Sequence, residues 1–143
     1  MIGNLADATL AVSGNAEWLG AGAYRDAFLI NGVVYKVCLE NDVPGTQANL
    51  DEWEFYPIAC DIVPEGCAVP ETMLYAVGPC PVIAMAYVEG TPMGECYCTP
   101  DEPHSNCLPL HIETALSTAG FFDIGYGNVV YDGTTYWVVD FQS

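Results

Sequence analysis

At 143 residues, 52% of them hydrophobic and with three Trp, nine Tyr and five Phe, the chain has one domain's length and the material for a packed core, which excludes an intrinsically disordered protein. Nineteen acidic residues against two basic ones give a formal net charge of −17, so nucleic-acid phosphates and anionic membrane surfaces would be repelled and neither is expected as a partner. There is no apolar run of the roughly 18 residues that a membrane-spanning helix needs, and the Met1–Asn4 start lacks the basic and apolar pattern of a secretory signal. A soluble, cytoplasmic protein is expected.

The first block runs from Glu17 to Val37. Glu17–Leu19 leads into a glycine-containing loop, Gly20-Ala21-Gly22-Ala23-Tyr24-Arg25, followed by the apolar run Ala27–Ile30, an Asn31-Gly32 pair and the run Val33–Val37. Asn-Gly between two β-branched runs is a strong hairpin signal, because both residues tolerate positive φ. A helix is expected over about residues 46–56, with Leu50, Trp53 and Tyr56 roughly in line and Pro57 limiting its continuation. Strands are expected at Met73–Val77 and Val82–Val88. Residues 89–106 carry Gly, Pro, acidic residues and cysteines without an apolar period and read as a connecting loop. A helix then places Leu108, Ile112, Ala115, Leu116 and Ala119 on one stripe, with Gly120 ending it. The last pattern is a hairpin, Val129–Tyr131 and Tyr136–Val139, joined through Asp132-Gly133-Thr134-Thr135.

Two groups of residues carry candidate chemistry. A glycine-containing loop between strands, with a lysine on the next strand, suits phosphate binding: backbone N–H groups cover the phosphates and the ammonium reaches them. Lys36 is the single lysine of the chain and lies on that strand; Arg25, the single arginine, lies in the loop. Further on, Asp123, Asn128 and Asp140 offer a carboxylate to take a proton, then an amide oxygen and a second carboxylate as hard ligands for Mg²⁺.

These residues resemble the protein-kinase-like fold, including its aminoglycoside and small-molecule phosphotransferase branch, in a very small version of the sort that phages encode. Leu19–Arg25 resembles the glycine-rich loop, with Gly20, Gly22 and Arg25 as phosphate-covering positions, and Val34-Tyr35-Lys36 resembles the strand whose lysine holds the α- and β-phosphates. Glu52 resembles the glutamate that holds that lysine, with Glu54 as the competing register. Ile83–Gly90 resembles the hinge, which would put Met85 behind the adenine and the Ala86 and Val88 backbone at its edge. Asp123 and Asn128 resemble the catalytic-loop pair, and Asp140 the metal-binding aspartate. Departures from the pattern are Arg25 in place of the third loop glycine, Phe121-Phe122 in place of His-Arg and Gln142 in place of the metal-motif glycine.

The resemblance implies an α+β protein with an N-terminal lobe over residues 1–88, a five-stranded antiparallel sheet with one helix. Residues 89–106 would connect it to a reduced C-terminal lobe over 107–143, one main helix and a β-hairpin, ending before the segments that dock a protein substrate. It implies a phosphotransferase with ATP and Mg²⁺ as cofactors and, from the charge, a cationic small molecule or basic protein as acceptor. The alternative is a catalytically inactive, acidic kinase-like protein, a pseudokinase or decoy, that captures a basic host protein. A homodimer is open, because a reduced lobe would leave an apolar face for a second copy.

Seven cysteines, Cys38, Cys60, Cys67, Cys80, Cys96, Cys98 and Cys107, are an odd number, so reduced thiols or a metal site are expected rather than a full disulfide framework. Cys96, Cys98, His104 and Cys107 have the composition of a Cys₃His zinc site, although the spacing lacks a paired C-x₂-C; free thiols or one bridge are the alternatives. His111 is expected on a helix surface, and Asp26 and Asp132 in solvation and turn roles.

Overall fold

A computed structural model of the chain describes residues 2–21, 25–38, 43–94, 107–121, 124 and 128–140. Its elements are α1 (Leu5–Val12), β1 (Glu17–Ala21), β2 (Arg25–Ile30), β3 (Val33–Cys38), α2 (Val43–Ile62), β4 (Cys67–Ala68), β5 (Thr72–Val77), β6 (Cys80–Ala86), β7 (Thr91–Met93), α3 (Leu110–Ala119), β8 (Val129–Tyr131) and β9 (Tyr136–Val138). They form two compact units, residues 1–54 with 71–87, and residues 55–70 with 88–143. The contiguous first lobe expected over 1–88 is thus interrupted: the second half of α2 and the segment after it group with the C-terminal residues.

The first unit is built on an antiparallel sheet of five strands in the order β1-β2-β3-β6-β5, as expected. The β2–β3 turn is closed by Asn31 and Gly32 at φ 50° and 76°, the left-handed pair that a two-residue hairpin requires. Side chains alternate across the sheet. Val33, Tyr35 and Val37 face one side with Phe28, Val82 and Ala84, where Ala8 and Ala11 of α1 complete a buried core. Large apolar side chains buried there contribute roughly 1.5–3 kcal/mol each. The sequence offers little sign of α1, whose buried residues are only two alanines three positions apart. It is anchored instead by polar contacts. Asn4 caps it by accepting from the Asp7 N–H at 2.8 Å. The Asn4 N–H donates to Tyr35 Oη at 3.3 Å, and Tyr75 Oη donates to the Ile2 carbonyl at 2.7 Å. Gly3 is required by this approach: φ is 70°, and a Cβ would lie 2.7 Å from Tyr35 Oη.

On the opposite face the register aligns Gly20, Ala27, Lys36 and Ile83 in one row across β1, β2, β3 and β6. A break in the β1–β2 register between Trp18 and Gly20 brings Gly20 opposite Ala27. Helix α2 is longer than expected, running through Pro57 to Ile62. Proline cannot donate to the carbonyl four residues earlier, but the helix tolerates that loss where tertiary packing holds both of its sides. The expected apolar stripe does not face the sheet. Leu50 is 40% exposed, whereas Asn49 and Glu52 are fully buried, as is Ala59 further along the helix.

In the second unit β4, β9, β8 and β7 form a four-stranded sheet, with β4 parallel to β9. β7 lies inside the segment expected to be a loop. Gly90 precedes it because a Cβ there would collide with the Tyr131 carbonyl oxygen. The α3 stripe is as expected, with Ile112 and Leu116 buried, His111 exposed and Gly120 capping the helix at φ 115°. Phe55 meets Phe121 edge-on at 5.9 Å. In the β8–β9 turn Asp132 accepts from Trp137 Nε1 at 2.8 Å and from the Thr134 and Thr135 N–H groups, which hold its carboxyl far below the usual range. No helix among the described residues is long and apolar enough to cross a membrane.

Candidate functional site

The chemistry gathers on the sheet face that Lys36 shares with Gly20 and Ala27. Alternation along β3 sends Tyr35 and Val37 into the α1-side core and turns Lys36 the other way, toward α2. There Lys36 Nζ meets Glu52 Oε1 at 2.6 Å. Arg25, first residue of β2, reaches Glu52 Oε2 with Nη1 at 2.7 Å. The same Nη1 donates to Asn49 Oδ1 at 3.0 Å. Asn49 and Glu52 stand three residues apart on α2 and so share its sheet-facing side. The Asn49 amide completes the cluster by donating to the Lys36 carbonyl at 3.0 Å and the Pro81 carbonyl at 2.9 Å. One carboxamide therefore ties α2 to β3, β6 and the arginine together.

Arg25 and Lys36 are 8% and 9% exposed, and Glu52 is fully buried. Burial would raise the Glu52 pKa, but the charges of Lys36 and then Arg25, with a hydrogen bond from each, outweigh it and hold the carboxyl below its ordinary value. The cluster includes both the lysine and the arginine of a chain whose net charge is −17. Glu54, the competing register, is exposed.

Sequence reasoning placed Arg25 and Gly20 in a loop; in the structure Arg25 begins β2 and Gly20 lies within β1, where nothing approaches within 4 Å of the position a Cβ would take. Glycine and Ala27 thus leave the row beside Lys36 almost bare of side chains. Gly22 lies outside the described residues. Met85 is 2% exposed on β6, on the Lys36 face and opposite Val34. The Ala86 N–H donates to the Glu71 carbonyl at 3.0 Å and is therefore engaged within the protein. Val88 is half-buried and belongs to the second unit. Asn49 was not singled out in the sequence; its position three residues before Glu52 is the signal that would have found it.

In the second unit Asn128 and Asp140 flank the β8–β9 hairpin. The Val139 N–H donates to the Asn128 carbonyl at 2.9 Å, extending the hairpin by one rung beyond Val129–Val138 and bringing the Asp140 backbone next to it. An amide oxygen and a carboxylate are suitable ligands for Mg²⁺, which commonly takes one or two protein oxygens and completes its shell with phosphate and water. No group of three His, Cys, Asp or Glu residues that would hold a metal by itself occurs among the described residues. Asp123 lies outside them.

The zinc expectation requires a correction. Cys107 is disulfide-bonded and so has no thiolate to give a metal, while Cys96, Cys98 and His104 lie outside the described residues. Cys38, Cys60, Cys67 and Cys80 are free. The expectation of reduced thiols thus fails at Cys107, where one bridge replaces the metal alternative.

No protein-family model and no curated protein matches the chain. Among solved structures, the chain is similar to the aminoglycoside phosphotransferase APH(2'')-IIIa in its complex with GDP and kanamycin, with a TM-score of 0.48 and 18% sequence identity. The match covers 62% of this chain and 31% of that one, so the chain spans less than a third of the length of its solved neighbour.

Proposed function

We propose that the chain is a kinase-like phosphotransferase that binds Mg²⁺-ATP and passes the γ-phosphoryl group to a cationic acceptor. One observation carries this: the chain's single lysine and single arginine, its two basic residues in 143 at a net charge of −17, both pair with the buried Glu52 carboxylate. Buried ion clusters are costly to assemble, and their concentration at one place favours a binding role over general stabilisation. In this role Lys36 holds the α- and β-phosphates, Glu52 orients Lys36, and Arg25 adds a second cation to the same locus. Gly20 and Gly22 allow the β1–β2 segment to approach the phosphates, while Met85, Ala86 and Val88 border the base.

Asn128 and Asp140 would hold the metal, which when bound would neutralise charge on the phosphates. Asp123 accepts the proton of the acceptor's hydroxyl as its oxygen bonds to the γ-phosphorus, and the bond to the β–γ bridging oxygen breaks to release ADP. The net charge selects the acceptor's class: a hydroxyl-bearing, aminoglycoside-like cation or a basic protein segment is drawn toward the chain.

The test is transfer of labelled γ-phosphate from Mg²⁺-ATP to a panel of amino-sugar and basic-peptide acceptors. Transfer should require Mg²⁺ and fall roughly 100-fold or more in Asp123→Asn, the scale of a lost general base. The net charge also favours a second reading, an inactive acidic protein that binds a basic partner. Nucleotide binding without transfer, together with capture of a basic protein that weakens steeply between low and high salt, would establish that reading instead.

A further inference from the structure

β1 is one edge of the five-stranded sheet, and no strand among the described residues pairs with its outer side. Backbone groups on that side of an edge strand point away from the neighbouring strand and can pair with another extended chain. Sheets commonly guard such an edge with lysine or proline. β1, Glu17–Ala21, carries neither, and its two large apolar side chains face water, Trp18 at 59% and Leu19 at 41% exposure. Trp18 lies opposite Phe28, while α1 packs over β3 and β5, so the indole stands at the open margin of that face. Its ring is held in place. Nε1 donates at 3.3 Å to Asp26 Oδ1, on the neighbouring strand two residues before Phe28 and so on the same face. The open indole thus has two carboxylates near it, Asp26 and the exposed Glu17. No lysine or arginine of the chain balances them, because Lys36 and Arg25 are nearly buried at Glu52.

We infer that the β1 edge is an interaction surface for an extended, arginine- or lysine-rich protein segment, which lies along β1 as a sixth strand and seats a cation on the Trp18 ring. Charge complementarity selects this occupant. A guanidinium within about 6 Å of an indole centre is drawn to the ring face, and from there it can donate to a neighbouring carboxylate such as Asp26. A second copy of the chain would instead bring further carboxylates against Glu17 and Asp26, and at a net charge of −17 copies repel one another. The register break between Trp18 and Gly20 bends the edge, so the added ladder is short and Trp18 carries much of the recognition. Trp18 shares its face with Phe28 and Tyr35, opposite the face of Lys36, so this surface is independent of the proposed nucleotide site.

The test titrates the full chain, without nucleotide, into a labelled peptide of four arginine-valine repeats and follows fluorescence anisotropy. Saturable binding of one peptide per chain is expected. Trp18→Ala should weaken it about fivefold or more, the scale of one cation–π contact. Asp26→Asn keeps an acceptor for the indole and should weaken binding more than Asp61→Asn, which removes the same charge from an exposed position on α2. A peptide of equal charge with proline in place of the valines should bind about tenfold more weakly, because it lacks backbone donors for the edge. Circular dichroism should report every variant folded. Wild-type affinity in Trp18→Ala, equal losses in the two asparagine variants, or equal binding of the proline peptide would overturn the inference, leaving only a diffuse attraction to an acidic chain. So would a dimer in sedimentation velocity that depends on Trp18 and resists the peptide, which would make a second copy the occupant.

Discussion

Glu52→Ala should destabilise the first unit by about 3–5 kcal/mol, the usual cost of removing one partner from a buried ion pair. The Glu52 carboxylate is fully buried and shared between Lys36 at 2.6 Å and Arg25 at 2.7 Å, so its loss removes a charge partner from two nearly buried cations at once. Against total stabilities of roughly 5–15 kcal/mol, such a change moves a denaturant midpoint far. Urea unfolding followed by tryptophan fluorescence measures it, and a loss below about 1 kcal/mol would mean that the cluster does not hold α2 to the sheet.

Acid behaviour provides an independent reading of the same residue. The Glu52 pKa is lower in the fold than its reference value of 4.5, so in acid the unfolded chain takes up this proton first. The stabilisation is therefore complete above about pH 4.5 and is lost as pH falls through the folded pKa. The comparison of wild type with Glu52→Gln isolates the Glu52 contribution: the glutamine variant starts weaker, and the gap between the two narrows as pH falls below 4.5.

Asn49→Ala should cost about 2–4 kcal/mol, since an unsatisfied buried polar group costs about 1–3 kcal/mol and this amide serves three others. Its Nδ2 donates to the Lys36 and Pro81 carbonyls, and its Oδ1 accepts from Arg25. Asn49→Asp sharpens the test. It keeps the acceptor for Arg25, with added charge, but turns a carboxylate oxygen toward two carbonyl oxygens. If the carbonyl contacts dominate, aspartate will be at least as damaging as alanine in the same urea experiment; an aspartate variant as stable as wild type would assign Asn49's value to Arg25 alone.

Local signals made much of this fold legible. Asn31-Gly32 fixed the β2–β3 hairpin because a left-handed pair has few other uses, and the α3 stripe ended at Gly120 for a similar reason. Lys36 and Glu52 were paired through a family resemblance, since either residue alone reads as a solvated charge. What stayed hidden was set by tertiary contacts. α1 buries only Ala8 and Ala11 and depends on Tyr35 and Tyr75, distant in sequence. The buried face of α2 was misjudged because Asn49 and Glu52, polar by type, occupy the positions expected of Leu50 and its stripe. Pro57 read as a stop, yet α2 continues to Ile62. Irregular spacing gave no means of choosing between zinc and a bridge at Cys107. Gly22 and Asp123 carry parts of the proposed site that lie outside the described residues.

The central claim, that Arg25, Lys36 and Glu52 form a nucleotide-phosphate site, is tested most directly by calorimetric titration of Mg²⁺-ATP into wild type and Lys36→Met. Methionine keeps most of the lysine stem while Arg25 still neutralises Glu52, so circular dichroism should show both proteins folded. Saturable binding by wild type, lost on chelating Mg²⁺ and weakened at least tenfold in Lys36→Met, about 1.4 kcal/mol or more, is the expected result. Equal affinity in the two proteins, or no heat from wild type at millimolar nucleotide, would contradict it.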